Sequence, residues 1–256
     1  MAVKMRYREQ KYYPGMYLEV NIYPVWENVY KNGRRTKRKP STQTQIVLNQ
    51  HNSERKLARK IDANFSHNDV KFELTYTDSN HPESIEAAQK DFRNFLSRVK
   101  RARKRAELPP VKYIYSLEQG SKCGRLHFHV IMSGGLTIQQ LAKIWGKGYV
   151  DKVLPLMFSK DGCAGIAKYF CKQQLTQGGK RWVASQNCID PPERTNDHKF
   201  SKRRVRDIAV DCDNARMWEQ IYPGYLYAGC REFYNDDTGL HYLYLRMYRA
   251  DATLDI

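Results

Sequence analysis

The chain has 256 residues, 41% of them hydrophobic and 12% aromatic, which excludes a disordered polymer and leaves room for one large domain or a core with extensions. Its 44 Lys and Arg against 27 Asp and Glu give a formal charge of +17, which favours a polyanionic partner, nucleic acid or an acidic surface. No apolar run approaches the ~20 residues of a membrane span, the N-terminal stretch lacks the apolar core of a signal peptide, and six scattered cysteines show neither CxxC pairs nor zinc-finger spacing.

Residues 17–23 alternate well enough to form a strand. Residues 31–40 (KNGRRTKRKP) are too charged to pack, so Arg34, Arg35, Lys37 and Arg38 are candidates for phosphate contact as much as for a solvated loop. Leu57, Ile61 and Phe65 recur every fourth position and predict a helix over 53–65. Residues 71–77 (KFELTYT) read as a strand with Phe72, Leu74 and Tyr76 on one face and Glu73 on the other. Pro82 suits a first helical position, and Ile85, Ala88, Phe92, Phe95, Leu96 and Val99 form the stripe of a long helix. That helix ends in more cations than its dipole requires, and Arg101, Arg103 and Arg105 are candidate nucleic-acid contacts.

Residues 112–132 (KYIYSLEQGSKCGRLHFHVIM) carry a hairpin signal, two apolar-rich runs about a Gly-bounded loop. In the second run His127 and His129 point one way and Leu126, Phe128 and Val130 the other. Folding about Lys122 or Cys123 brings Glu118 opposite His127; another register would offer Glu73 or Gln119 instead. A short helix over 136–145, closed by Gly146, and a strand over 149–156 follow. The resulting β-α-β-β-α-β order predicts an α+β, ferredoxin-like antiparallel sheet with both helices on one face and the histidines on the other. A further helix over 162–176 carries Tyr169 and Lys172 on its flank. Beyond it lie a cationic cluster at 199–206, with Lys202, Arg203 and Arg204, and an aromatic strand over 239–248. The expected organisation is a basic N-terminal extension at 1–66, a core domain at 67–177 and an accessory region at 178–256.

Glu118, His127, His129, Tyr169 and Lys172 make a chemical set. Two imidazoles and a carboxylate can hold a divalent ion with positions left open. Such an ion polarises a phosphoryl oxygen, a tyrosine hydroxyl can attack the phosphorus, and a lysine can position the phosphate. The set suits transesterification of a phosphodiester.

Three motifs, FELTYT at 72–77, Glu118 with RLHFHV at 125–130, and AKYFCK at 167–172, resemble those of the HUH endonucleases in order and type. Within them the chain is similar to rolling-circle replication initiators of single-stranded-DNA phages and plasmids. The resemblance implies a nicking domain in which Tyr169 attacks a scissile phosphate of single-stranded origin DNA, stays joined to the 5′ end and later rejoins ends. It implies Mg²⁺ or Mn²⁺ on Glu118, His127 and His129, with Lys172 assisting at the phosphate. Gly165, one turn before Tyr169, implies a single-tyrosine enzyme, and two histidines rather than three separate it from conjugative relaxases. With no GxxxxGK[ST] motif, unwinding falls to a host helicase, and the expected setting is the host cytoplasm with duplex and single-stranded origin DNA as partners and no membrane. A single-tyrosine transposase of the same superfamily is the second enzyme reading. A non-catalytic single-strand binder, stacking bases on Tyr113 and Tyr115, is the reading from another class.

Overall fold

The computed structural model describes residues 4–26, 43–120, 124–172 and 180–255. The fold is α+β, with two five-stranded antiparallel sheets and six α-helices among the described residues. The chain divides into two compact units: Met1–Asn49, Phe158–Gly162 and Asp190–Ile256 form one, Gln50–Met157 and Cys163–Ile189 the other.

The first unit holds β1 (Met5–Tyr12), β2 (Tyr17–Trp26), β8 (Glu193–Asn196), β9 (Tyr225–Asn235) and β10 (Leu240–Arg249), in the order β8-β1-β2-β10-β9. Alternation along these strands turns Tyr7, Val20, Ile22, Leu243, Leu245 and Met247 into a core shared with Val205 and Ile208 of α5 (Lys202–Val210) and Trp218 of α6 (Ala215–Ile221). The two ends of the chain, read from the sequence as an extension and an accessory region, thus share one sheet, because β10 pairs directly with β2.

The second unit holds β3 (Val70–Leu74), β4 (Tyr113–Gln119), β5 (Leu126–Met132), β6 (Val150–Pro155) and the short β7 (Val183–Ala184), in the order β6-β3-β5-β4-β7. Between β3 and β4 runs α2 (Ile85–Arg105); between β5 and β6 runs α3 (Ile138–Trp145). Ser84, not Pro82, begins α2: its side chain accepts the Ala87 N–H and caps the helix, while Pro82 lies before it. Thr137 and Gln140 form a capping box on α3, and Gly146 ends it with φ 63°, a left-handed conformation open to glycine at little cost. Gly148 lets β6 close onto β3, since a Cβ there would collide with the Thr75 backbone. Phe92, Phe95, Leu96 and Val99 of α2 and Leu141 and Trp145 of α3 bury against Phe72, Leu74, Phe128 and Val130 of the sheet. Both helices therefore cover one face of the sheet.

Two more helices contribute to the second unit. The helix expected at 53–65 is longer, α1 (Gln43–Asp62), and belongs to this unit from Gln50 onward. The one expected at 162–176 is shorter as described, α4 (Ala164–Phe170), and the positions from 173 onward lie outside the described residues.

Candidate metal centre and tyrosine helix

Strand register builds the site. Glu118 lies opposite His127 and Ser116 opposite His129 across β4 and β5, and Glu73 lies opposite His129 across β3 and β5. Side chains that face one another in an antiparallel pair share a face, so the two carboxylates and two imidazoles project together, away from α2 and α3. Gln119 falls opposite Leu126 and drops out as an alternative ligand. The His127 and His129 rings stand nearly perpendicular, with centroids 4.8 Å apart.

The donor atoms of Glu118, His127 and His129 lie within 4.8 Å of one another, and this is the one such group among the described residues. His129 Nε2 is 2.8 Å from Glu118 Oε2, His127 Nε2 is 4.0 Å from the same oxygen, and His129 Nδ1 is 3.4 Å from Glu73 Oε1. His129 is only 2% exposed. Burial pulls its pKa below the ordinary 6.5 despite the opposing pull of the Glu118 bond, so the imidazole is neutral at neutral pH, as a ligand must be. A carboxylate oxygen and two imidazole nitrogens suit a divalent ion, and Glu73 sits where it can accept Nδ1–H from a His129 that ligates through Nε2.

Glu73 does more than back His129. Its carboxylate receives Lys152 Nζ at 2.8 Å and the Tyr169 hydroxyl at 3.4 Å. Burial alone would raise its pKa, but the Lys152 hydrogen bond and the nearby His129 hold it below the ordinary value. Strand alternation had placed Glu73 on this face; nothing in the sequence singled out Lys152.

The helix bearing Tyr169 is short and needs outside support. Asp62, at the end of α1, accepts the Cys163 backbone N–H at 2.9 Å and so satisfies a donor at the start of α4, where no side chain of α4 itself does. At the other end Ser53 of α1 meets Cys171 Sγ at 3.5 Å. Ala167 and Phe170 bury inward, and the Tyr169 ring is left 38% exposed with its centroid 4.6 Å from that of His129. Burial, with the Glu73 carboxylate next, raises the Tyr169 pKa above 10.0, while Lys152 works to lower it. Lys172 Nζ stands 4.0 Å from Glu118 Oε1. All five residues of the expected chemical set converge.

Residues 70–174 match the family model of the replication-associated proteins, the ORF2 and gene-2-protein family. That stretch belongs to the family, and it contains all three motifs on which the resemblance to rolling-circle initiators rests. No curated protein and no solved structure is a significant match to the chain.

The candidate nucleic-acid residues fare differently. Arg34, Arg35, Lys37 and Arg38 lie outside the described residues. Arg101 and Arg105 on α2, and Lys202, Arg203 and Arg204 on α5, are exposed. Arg103 is a correction: it is 4% exposed, and its guanidinium donates to the carbonyls of Pro109, Ser133 and Gly134, so its donors are spent inside the fold. Tyr113 and Tyr115 are likewise not beside the histidines. They lie on the α2 side of the sheet, with the Tyr115 ring 4.1 Å from that of Phe92, and offer no stacking surface next to the metal group. No described helix is long and apolar enough to cross a membrane.

Proposed function

We propose that the protein is a rolling-circle replication initiator that nicks and rejoins single-stranded origin DNA through Tyr169. The observation that carries this reading is the packing of the Tyr169 ring on His129, within the Glu118, His127 and His129 group. A bare metal group would suit many chemistries; a part-exposed phenol beside it suits attack on phosphorus. The strand order β6-β3-β5-β4, with α2 and α3 on one face, supports a ferredoxin-like core of the HUH kind.

Glu118, His127 and His129 would hold Mg²⁺ or Mn²⁺, which when bound polarises a phosphoryl oxygen and offsets charge growing there. The Tyr169 oxygen bonds to phosphorus as the phosphorus–3′-oxygen bond breaks. The phenolic proton leaves, and the departing 3′ oxygen is protonated to a hydroxyl that primes synthesis. The product is a 5′-phosphotyrosine, and the reverse attack by a 3′-hydroxyl rejoins the strand. Lys172, beside Glu118, offsets carboxylate charge and steadies the phosphate. Gly165 stands one turn before Tyr169, which suits a single nucleophile. The exposed cations of α2 and α5 would contact origin DNA, a host helicase would open the duplex, and the work would be done in the host cytoplasm.

The test incubates the protein and Mn²⁺ with single strands tiled across the DNA that carries its gene. A covalent protein–DNA adduct is expected, abolished by EDTA and by Tyr169→Phe. No adduct on any strand would refute the nuclease reading and favour a binder. An adduct that survives Tyr169→Phe would refute the assignment of the nucleophile.

A further inference from the structure

Lys152 is in the left-handed backbone region, with φ 49°, although it is not a glycine. It sits at a bulge. Lys71 lies opposite Leu154 and Glu73 opposite Asp151, so the register between β3 and β6 slips where Lys152 and Val153 face Phe72. Bulges re-aim side chains, and a strained residue persists only where its surroundings hold it. Here the re-aimed ammonium reaches both Glu73 oxygens, at 3.0 and 2.8 Å. The Lys152 side chain is 64% exposed, and an ion pair this open adds little stability to set against the strain.

The position of Glu73 gives the bulge a purpose. The same Oε1 that meets Lys152 also accepts from the Tyr169 hydroxyl, so Lys152, Glu73 and the phenol form one chain of contacts. Two carboxylates, Glu73 and Glu118, border the phenol and would repel an incoming phosphodiester. Each has a lysine at hand, Lys152 for Glu73 and Lys172 for Glu118.

We propose that Lys152 is a positioning residue for Tyr169: it pins and neutralises Glu73, which seats the phenolic hydroxyl and opens the site to a phosphodiester. The inference rests on the strand-transfer reading above and assigns a role within that site to a residue outside all three motifs.

The experiment compares single-turnover adduct formation on origin single strand with Mn²⁺ for wild type, Lys152→Ala and Lys152→Arg. Lys152→Ala is expected to lower the rate at saturating strand by about tenfold or more, with the half-saturating strand concentration changed by less than about twofold. Lys152→Arg should restore most of the rate. A second readout needs neither strand nor metal: the ¹⁹F resonance of 3-fluorotyrosine placed at position 169 should move in Lys152→Ala and stay near wild type in Lys152→Arg. An alanine variant as fast as wild type, a loss that arginine fails to rescue, or an unmoved resonance would overturn the proposal. If wild type forms no adduct on any strand, the nuclease reading fails by itself, and the resonance still decides whether Lys152 sets the tyrosine.

Discussion

At the scale of single residues, the site depends on parity. Glu118 and His127 face one another because β4 and β5 pair in the register that the hairpin pattern suggested, and alternation carries His129 to the same side. Removing Glu118 takes away a ligand and leaves His129 Nε2 without its partner at 2.8 Å. Glu118→Ala is therefore expected to weaken Mn²⁺ binding by about 100-fold or more, read by calorimetric titration. Binding within a few-fold of wild type would place the ion elsewhere. Period-two alternation made Glu118, His127, His129 and Glu73 legible in the sequence. Lys152 was not legible, because its aim comes from a bulge and a left-handed backbone at a residue type that gives no turn signal.

At the scale of elements, α2 shows how a charge run divides. Its stripe of Phe92, Phe95, Leu96 and Val99 was plain from spacing, and Arg103 continues that stripe one turn beyond Val99. The same periodicity that revealed the core could have marked Arg103 as facing inward; its charge hid this. Arg103→Ala removes bonds to three carbonyls and is expected to destabilise the fold by about 1–3 kcal/mol in urea unfolding, with single-strand affinity little changed. Arg101→Ala with Arg105→Ala should do the opposite, leaving the unfolding midpoint alone while flattening the salt dependence of strand binding. Reversed outcomes would mean that the buried and exposed cations have been wrongly sorted. The support that α1 gives α4 through Asp62 and Ser53 joins residues far apart in sequence, and no local pattern announces such contacts.

At the scale of the whole molecule, the chain's two ends meet in one sheet, a long-range pairing beyond the reach of local periodicity. Glu9 of β1 marks the junction: fully buried, it accepts Lys199 Nζ at 2.8 Å and the Tyr222 hydroxyl at 2.7 Å. Burial pushes its pKa up, but these bonds and the nearby Lys11 bring it below the ordinary 4.5. A carboxylate depressed in the folded state stabilises fully above its unfolded value, and that contribution is lost as pH falls through the folded one. The stability gap between wild type and Glu9→Gln, read from urea midpoints, should hold from neutral pH down to about 5 and shrink below it; a gap that widens with acid would contradict the pairing. The second unit, for its part, sets one phenol against one phosphate in the function proposed for it. The most direct measurement of that is mass spectrometry of the adduct after nuclease and protease digestion. A nucleotide remnant is expected on the peptide carrying Tyr169 and on no other tyrosine peptide; a remnant on any other residue would contradict the assignment.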